Sequence, residues 1–226
     1  MRLLLVRHGQ TPANVVGALD TAFPGLGLTE LGQAQAAAVP DALADERISA
    51  LYASPLVRTQ LTAGPLAEAR GLDVQVRAGL EEVSAGDLEM RSDPEGVQGY
   101  VDCLAAWLGG DLDRAMPGGP DGRAFWDRYD AAVSAIAAQH HDEDTVVAVS
   151  HGAAIRVWSA LACRLPAEQS FELRIANTGM AVLEGDPGDG WHLRRWQAEP
   201  LGGTSLLDVA ADDVTGDSAD ESADEG

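Results

Sequence analysis

Two uninterrupted apolar runs, Leu3–Val6 and Val146–Val149, each stop at a polar pair that ends in histidine, Arg7–His8 and Ser150–His151. A run this short with no polar alternate suits a strand covered on both faces, as in the middle of a parallel sheet. Open sheets of that kind bind ligands beyond the carboxyl ends of their strands. Two histidines separated by most of the chain are therefore expected at one sheet edge.

The segments between these runs agree with that reading. Thr29 stands as an N-cap ahead of the alanine-rich "ELGQAQAAAV". "ISALYA" reads as a strand ending at Ser54, and Pro55 as the first turn of a helix that continues to Arg70 with an irregularity at Gly64–Pro65. "LDVQV" is a further strand, "AAIRVWSALACRL" a helix, and "GMAVLEGD" and "GWHLRRWQ" flank the turn-rich "GDPGDG" as a terminal hairpin. Strands alternating with helices imply an α/β fold with a doubly wound, mostly parallel sheet and helices on both faces. A small lobe over the active site is expected from residues 90–128, and a C-terminal β-hairpin closes the fold.

With 226 residues, 46% of them hydrophobic, the chain buries one sizeable core. The opening apolar run is too short for a signal peptide, and no segment approaches the roughly 20 apolar residues that span a bilayer. Cys103 and Cys163 lie far apart and form no CxxC pair, which fits reduced thiols and a cytoplasmic location. The 36 acidic residues outnumber 15 basic ones for a net charge of −21, which argues against nucleic acid or an anionic membrane as partner. Every basic residue is arginine, so Schiff-base lysine chemistry and a P-loop lysine are excluded. Residues 208–226 hold many acids and no base. Residues 1–202 are expected to form the folded domain and 203–226 an acidic, disordered tail.

The candidate site gathers from four segments: Arg7, His8 and Asn14 from the first, Arg58 from the helix after "YASP", Glu82 from "LEEVSAG", and His151 from "AVSHG". Two arginines and two histidines at a strand edge suit a compact anion, because guanidinium forks bind phosphate oxygens bidentately. A neutral imidazole whose other ring nitrogen is held by a carbonyl can attack phosphorus in line. The cations then stabilise charge on the equatorial oxygens, and a nearby carboxyl group protonates the departing oxygen. The histidines and the glutamate could also be read as zinc ligands, but Arg7 and Arg58 would repel the cation. No metal and no cofactor are expected.

These motifs resemble those of the histidine phosphatase superfamily, also called the phosphoglycerate mutase-like family. "LVRHGQTPAN" is similar to its RHG(E/Q)TxxN signature, which implies that His8 is the phosphorylated nucleophile and that Arg7 and Asn14 bind phosphate. "LTELGQAQA" resembles the family's LTxxGxxQA, and "SPLVRTQLTA" its SxLxRAxQTA, which makes Arg58 the second phosphate arginine. "LEEVSAGDLE" resembles LxExxxGxxEG and places the proton donor at Glu82 in preference to Glu81. "VSHGAAIR" matches the second histidine motif, implying a catalytic role for His151 and a phosphate contact for Gly152. Three positions depart from the pattern: Leu61 stands where glutamine is usual, Met90 where glycine follows the acid, and "PGGPDG" where PGGES is common.

The resemblance implies hydrolysis of a small phosphomonoester through a phosphohistidine. A phosphoglycerate-type mutase uses the same cage, and a catalytically idle phospholigand-binding module is the rival of another class. The lobe carries Trp107, Met116, Phe125 and Trp126 among acids, which spells no single substrate and leaves the oligomeric state open. Arg128 reads as a solvated residue on a helix face.

Overall fold

A computed structural model describes residues 1–211 and 213–216. Six strands, β1 (Arg2–Arg7), β2 (Ile48–Ala53), β3 (Val74–Val76), β4 (Thr145–Ser150), β5 (Met180–Asp186) and β6 (Gly190–Gln197), form one sheet in the order β3-β2-β4-β1-β5-β6. β3, β2, β4 and β1 run parallel, and β5 and β6 are antiparallel additions on the β1 side. The register pairs Arg7 of β1 with Ser150 of β4, so His8 and His151 leave the same edge side by side.

The two apolar runs alternate between two cores. Leu3, Leu5, Val146 and Ala148 face α4 (Pro94–Leu108), α5 (Gly122–Ala137) and α6 (Gly152–Ala162). Leu4, Val6, Val147 and Val149 face α2 (Glu30–Ala42) and α3 (Val57–Arg70). Each fully buried aliphatic side chain contributes about 2 kcal/mol relative to exposure, which is why neither run tolerates a polar alternate. Short helices α1 (Pro12–Val15) and α7 (Ala167–Phe171) complete the chain.

Local signals act largely as expected. Thr29 Oγ1 accepts the Gly32 N–H at 3.0 Å and caps α2. Pro55 lies outside α3, whose N-cap is Leu56, and the helix runs on to Arg70 through Gly64–Pro65, where an irregularity was expected. The loop after β1 is pressed onto the first turn of α2: a Cβ on Gly9 would stand 2.5 Å from the Gly32 carbonyl oxygen, and one on Gly32 2.1 Å from that of Gln10. Only glycine permits that approach.

The large side chains of the segment 90–128 do not reach the pocket: Trp107, Met116 and Phe125 are buried in the core, where Trp107, Phe125, Tyr129 and Trp158 follow one another at ring separations of 5.6–5.8 Å. Aromatic burial outweighs any gain from exposing these rings above a polar pocket. The tail, expected to be disordered from residue 203, is held against the body where it is described. Gln35 Nε2 donates to the Leu206 carbonyl at 2.8 Å, Gln10 Nε2 to Asp208 at 2.9 Å, and the Ile175 N–H to the Gly216 carbonyl at 2.9 Å. Its acids meet donors and a cation on the body, which a count of tail residues alone cannot register. The remainder of that expectation, residue 212 and residues 217–226, lies outside the described residues.

Candidate active site

His8 follows β1 directly and is 2% exposed. Its Nδ1 lies 2.8 Å from the Gly9 carbonyl oxygen, which can only accept, so Nδ1 carries the proton and Nε2 keeps its lone pair. Burial first, and then the positive charges of Arg58 and Arg7, hold the imidazole well below its usual pKa and therefore neutral. The Asn177 side chain donates to the His8 carbonyl at 3.1 Å and fixes the main chain behind the ring.

His151, the N-cap of α6, stands with its ring centroid 5.2 Å from that of His8. Its Nε2 is 2.8 Å from Ser54 Oγ, at the end of β2. Burial and the neighbouring cations, Arg58 foremost, also push this ring well below the ordinary histidine range.

Arg58, on the first turn of α3, is 2% exposed and reaches under the loop after α1. Its Nη2 donates to the Asp20 carbonyl at 2.8 Å, and its Nη1 lies 3.4 Å from the Asp20 carboxylate. Gly25, at φ +71°, makes room for it, since a Cβ there would lie 2.3 Å from Nη1.

Glu82 comes from the loop after β3 and is also buried. Its carboxylate accepts the N–H groups of Val83 and Ala154 at 2.7 Å each and of Ala153 at 3.2 Å, so it sits on the positive end of α6. Burial raises its pKa, with those N–H groups and Arg58 opposing. Glu81 turns the other way and pairs with Arg128 at 3.0 Å. Arg128 is not simply solvated: it donates to the carbonyls of Gly79, Glu81 and Glu82 at 2.8–3.0 Å and so braces the loop that presents Glu82.

His8, Asn14, Arg58, Glu82 and Thr215 line one small cavity at the carboxyl edge of the sheet. Its other walls come from residues 11–20, and among the described lining residues none belongs to the segment 90–128. Arg7 lies behind it, wholly buried, and Gly152 packs so closely that a Cβ would fall 2.9 Å from Arg7 Nε. A roomier depression beside Met1, Ser134, His140 and Pro187 opens at the opposite end of β1 and holds no arginine. Among the described residues no group of three or more histidine, cysteine or acidic side chains is placed to hold a metal ion, and no helix is long and apolar enough to cross a membrane.

The sequence motifs gave no role to Ser54, Asn177, Asp20, Asp213 or Thr215. Ser54 was within reach, since it directly follows β2 at the same edge. The others act through main-chain contacts or from the tail and leave no local pattern.

A buried neutral imidazole flanked by guanidinium groups and a carboxyl of raised pKa, all at the carboxyl edge of a parallel sheet, defines a site built for phosphoryl chemistry. Residues 3–199 match the family model of the histidine phosphatase superfamily (branch 1), and the chain belongs to that family. It is 37% identical over 216 residues to the PE-PGRS family protein PE_PGRS11 of Mycobacterium tuberculosis, covering 89% of this chain but 37% of that longer protein. It is 31% identical over 176 residues to the adenosylcobalamin/alpha-ribazole phosphatase of Escherichia coli, covering 77% of this chain and 85% of the relative. Among solved structures, a mycobacterial glucosyl-3-phosphoglycerate phosphatase in complex with VO3 superimposes with a TM-score of 0.75 at 29% identity, covering 88% of this chain and 99% of that one.

Proposed function

We propose that this chain hydrolyses small phosphomonoesters through a phosphohistidine formed on His8. The observation that carries the reading is the hydrogen bond from His8 Nδ1 to the Gly9 carbonyl, in a ring that opens on a cavity shared with Arg58 and Glu82. Nε2 attacks phosphorus, the ester P–O bond breaks, and the leaving oxygen takes the proton of Glu82. Water then gives a proton to Glu82 and attacks phosphorus, the N–P bond breaks, and inorganic phosphate departs. Arg58, His151, Asn14 and Arg7, with Gly152 at the start of α6, serve the phosphate oxygens.

No metal or cofactor enters this scheme. The phosphatase names of the relatives support a phosphomonoester substrate, and the acidic surface supports a small molecule over nucleic acid. The cytoplasmic reading rests on the two free cysteines.

The test is rapid quenching with a phosphomonoester carrying labelled phosphorus. Acid-labile, base-stable label on the wild-type chain, absent from His8→Ala, is expected. Turnover that persists in a folded His8→Ala chain would overturn the mechanism.

A further inference from the structure

The segment Asp213–Gly216 ends on the residues assigned to phosphate. Asp213 Oδ1 accepts from Arg7 Nη2 at 2.6 Å and from Asn14 Nδ2 at 3.1 Å, while Oδ2 accepts from Arg7 Nη1. Thr215 Oγ1 accepts from Nη2 at 3.0 Å, and the Ile175 carbonyl from Nη1 at 2.7 Å. The two terminal nitrogens of a guanidinium carry four hydrogens. Among the described residues four acceptors are in place for them, so the fork that would grip a phosphate already grips a carboxylate.

The fit is constructed on both sides. Gly152 has no Cβ, and one would fall 2.4 Å from the Thr215 carbonyl oxygen; a Cβ on Gly216 would fall 2.1 Å from Arg7 Nη1. Thr215 also forms part of the cavity wall beside His8 and Glu82. Upstream, Asp208 and Leu206 are tied to Gln10, two residues after His8, and to Gln35 of α2. A carboxylate offers a guanidinium the same pair of oxygens as one face of a phosphate, but with a single negative charge.

We propose that the clamp of Arg7 and Asn14 is a binding site for an acidic peptide, and that its occupant is the chain's own Asp213–Gly216, a ligand in cis that a phosphate group must displace. The proposal rests on the reading of Arg7 and Asn14 as phosphate-binding residues. Tethering keeps the carboxylate at a high local concentration without making it irreplaceable. A phosphomonoester carries more charge and engages Arg58 and His151 as well, which the carboxylate does not reach in this arrangement. The apparent affinity for phosphate is lowered in proportion to the fraction of molecules in which the segment is closed.

The experiment uses the full-length chain. Wild type, Asp213→Asn and Thr215→Val are titrated with inorganic phosphate by calorimetry, and their kinetics are measured on a chromogenic phosphomonoester. Hydrogen exchange of the peptide covering residues 207–216 is followed with and without saturating phosphate. If the segment is closed in nine molecules of ten, Asp213→Asn should bind phosphate about tenfold more tightly and lower KM by a similar factor, with kcat undiminished. Thr215→Val should shift both in the same direction by less, and phosphate should speed exchange in the wild-type segment. Equal or weaker phosphate binding by Asp213→Asn, or a fall in its kcat, would make Asp213 a fixed partner that positions Arg7 and would overturn the proposal. So would exchange that is unchanged when phosphate is bound, and that measurement decides alone if Asp213→Asn does not fold. Absence of phosphate binding in both wild type and Asp213→Asn would remove the phosphate-clamp reading itself, and the proposal with it.

Discussion

Arg128 donates to the main-chain oxygen of Glu82 at 3.0 Å, and with the same guanidinium to the carbonyls of Gly79 and Glu81 and to the Glu81 carboxylate. One side chain of α5 thereby ties down three carbonyls, those of Gly79, Glu81 and Glu82, in the loop that carries the proposed proton donor. Phe125 lies against the guanidinium, 5.4 Å from ring centroid to Cζ. Arg128→Ala should leave Glu82 present but loosely aimed. The expected loss in kcat is about 10- to 100-fold for an alkyl phosphate, within the range of a general acid, and much less for an activated aryl phosphate. Arg128→Lys should restore little, because an ammonium cannot fork across three carbonyls. Equal losses on both substrates would assign Arg128 to stability alone.

The two titrating groups of the proposed mechanism move toward each other. His8 must be neutral to attack, and its pKa is lowered from 6.5, so the acid limb of kcat/KM should fall below pH 6.5. Glu82 must be protonated to assist a poor leaving group, and its pKa is raised from 4.5, so the alkaline limb for alkyl phosphates should begin above pH 4.5. With alkyl phosphates the profile should be a bell whose acid limb belongs to His8 and whose alkaline limb belongs to Glu82. With an activated aryl phosphate the alkaline limb should flatten, since the leaving oxygen needs no proton. An acid limb at or above pH 6.5 would contradict a buried, cation-flanked nucleophile.

Met90 holds φ +61° and is 53% exposed, at the position where the family motif has glycine. A left-handed conformation costs a residue with a Cβ about 1–2 kcal/mol. Glycine there loses about 0.4–1 kcal/mol of that advantage through the greater freedom of the unfolded chain. Met90→Gly should therefore stabilise the protein by up to about 1 kcal/mol and raise Tm by about 2 °C. A drop in Tm would show that the methionine side chain contributes packing beyond its exposed half.

The strands, and the gathering of the motif residues at one sheet edge, were legible because each depends on a short local pattern: an apolar run, an N-cap, a histidine at fixed spacing from an arginine. The pairing of Arg7 with Ser150 then follows from parallel register, which brings the two motifs together without further information. Arg128 was not legible, since its partners are carbonyls 46–49 residues earlier in the chain and a carbonyl has no sequence signature. That Trp107 and Phe125 stack in the core was not legible, because a sequence gives amphipathic helices no address. Asp213 was hidden by the composition around it: one acid among many reads as solvated until the buried arginine it meets is in view.

The last prediction separates hydrolysis from phosphoryl return to the substrate. A mutase must shelter its phosphohistidine from water and hold an anionic substrate while it reorients, which calls for cations beyond those that bind the transferred phosphate. Arg91, the only basic residue in "LEEVSAGDLEMRSDPEG", is spent on the surface, paired with Asp93 and Glu95. Arg128 is held by the Glu82 loop, and Asp20 adds negative charge beside Arg58. Such a cavity offers a displaced polyanion little to hold it while water completes the second step. Inorganic phosphate should accumulate from small phosphomonoesters, with interconversion of 3- and 2-phosphoglycerate at least about 100-fold slower, since the lost interactions are charge-assisted contacts worth about 1.5–3 kcal/mol each. Coupled assays primed with 2,3-bisphosphoglycerate decide the matter: isomerisation faster than phosphate release would replace the phosphatase reading with the mutase one.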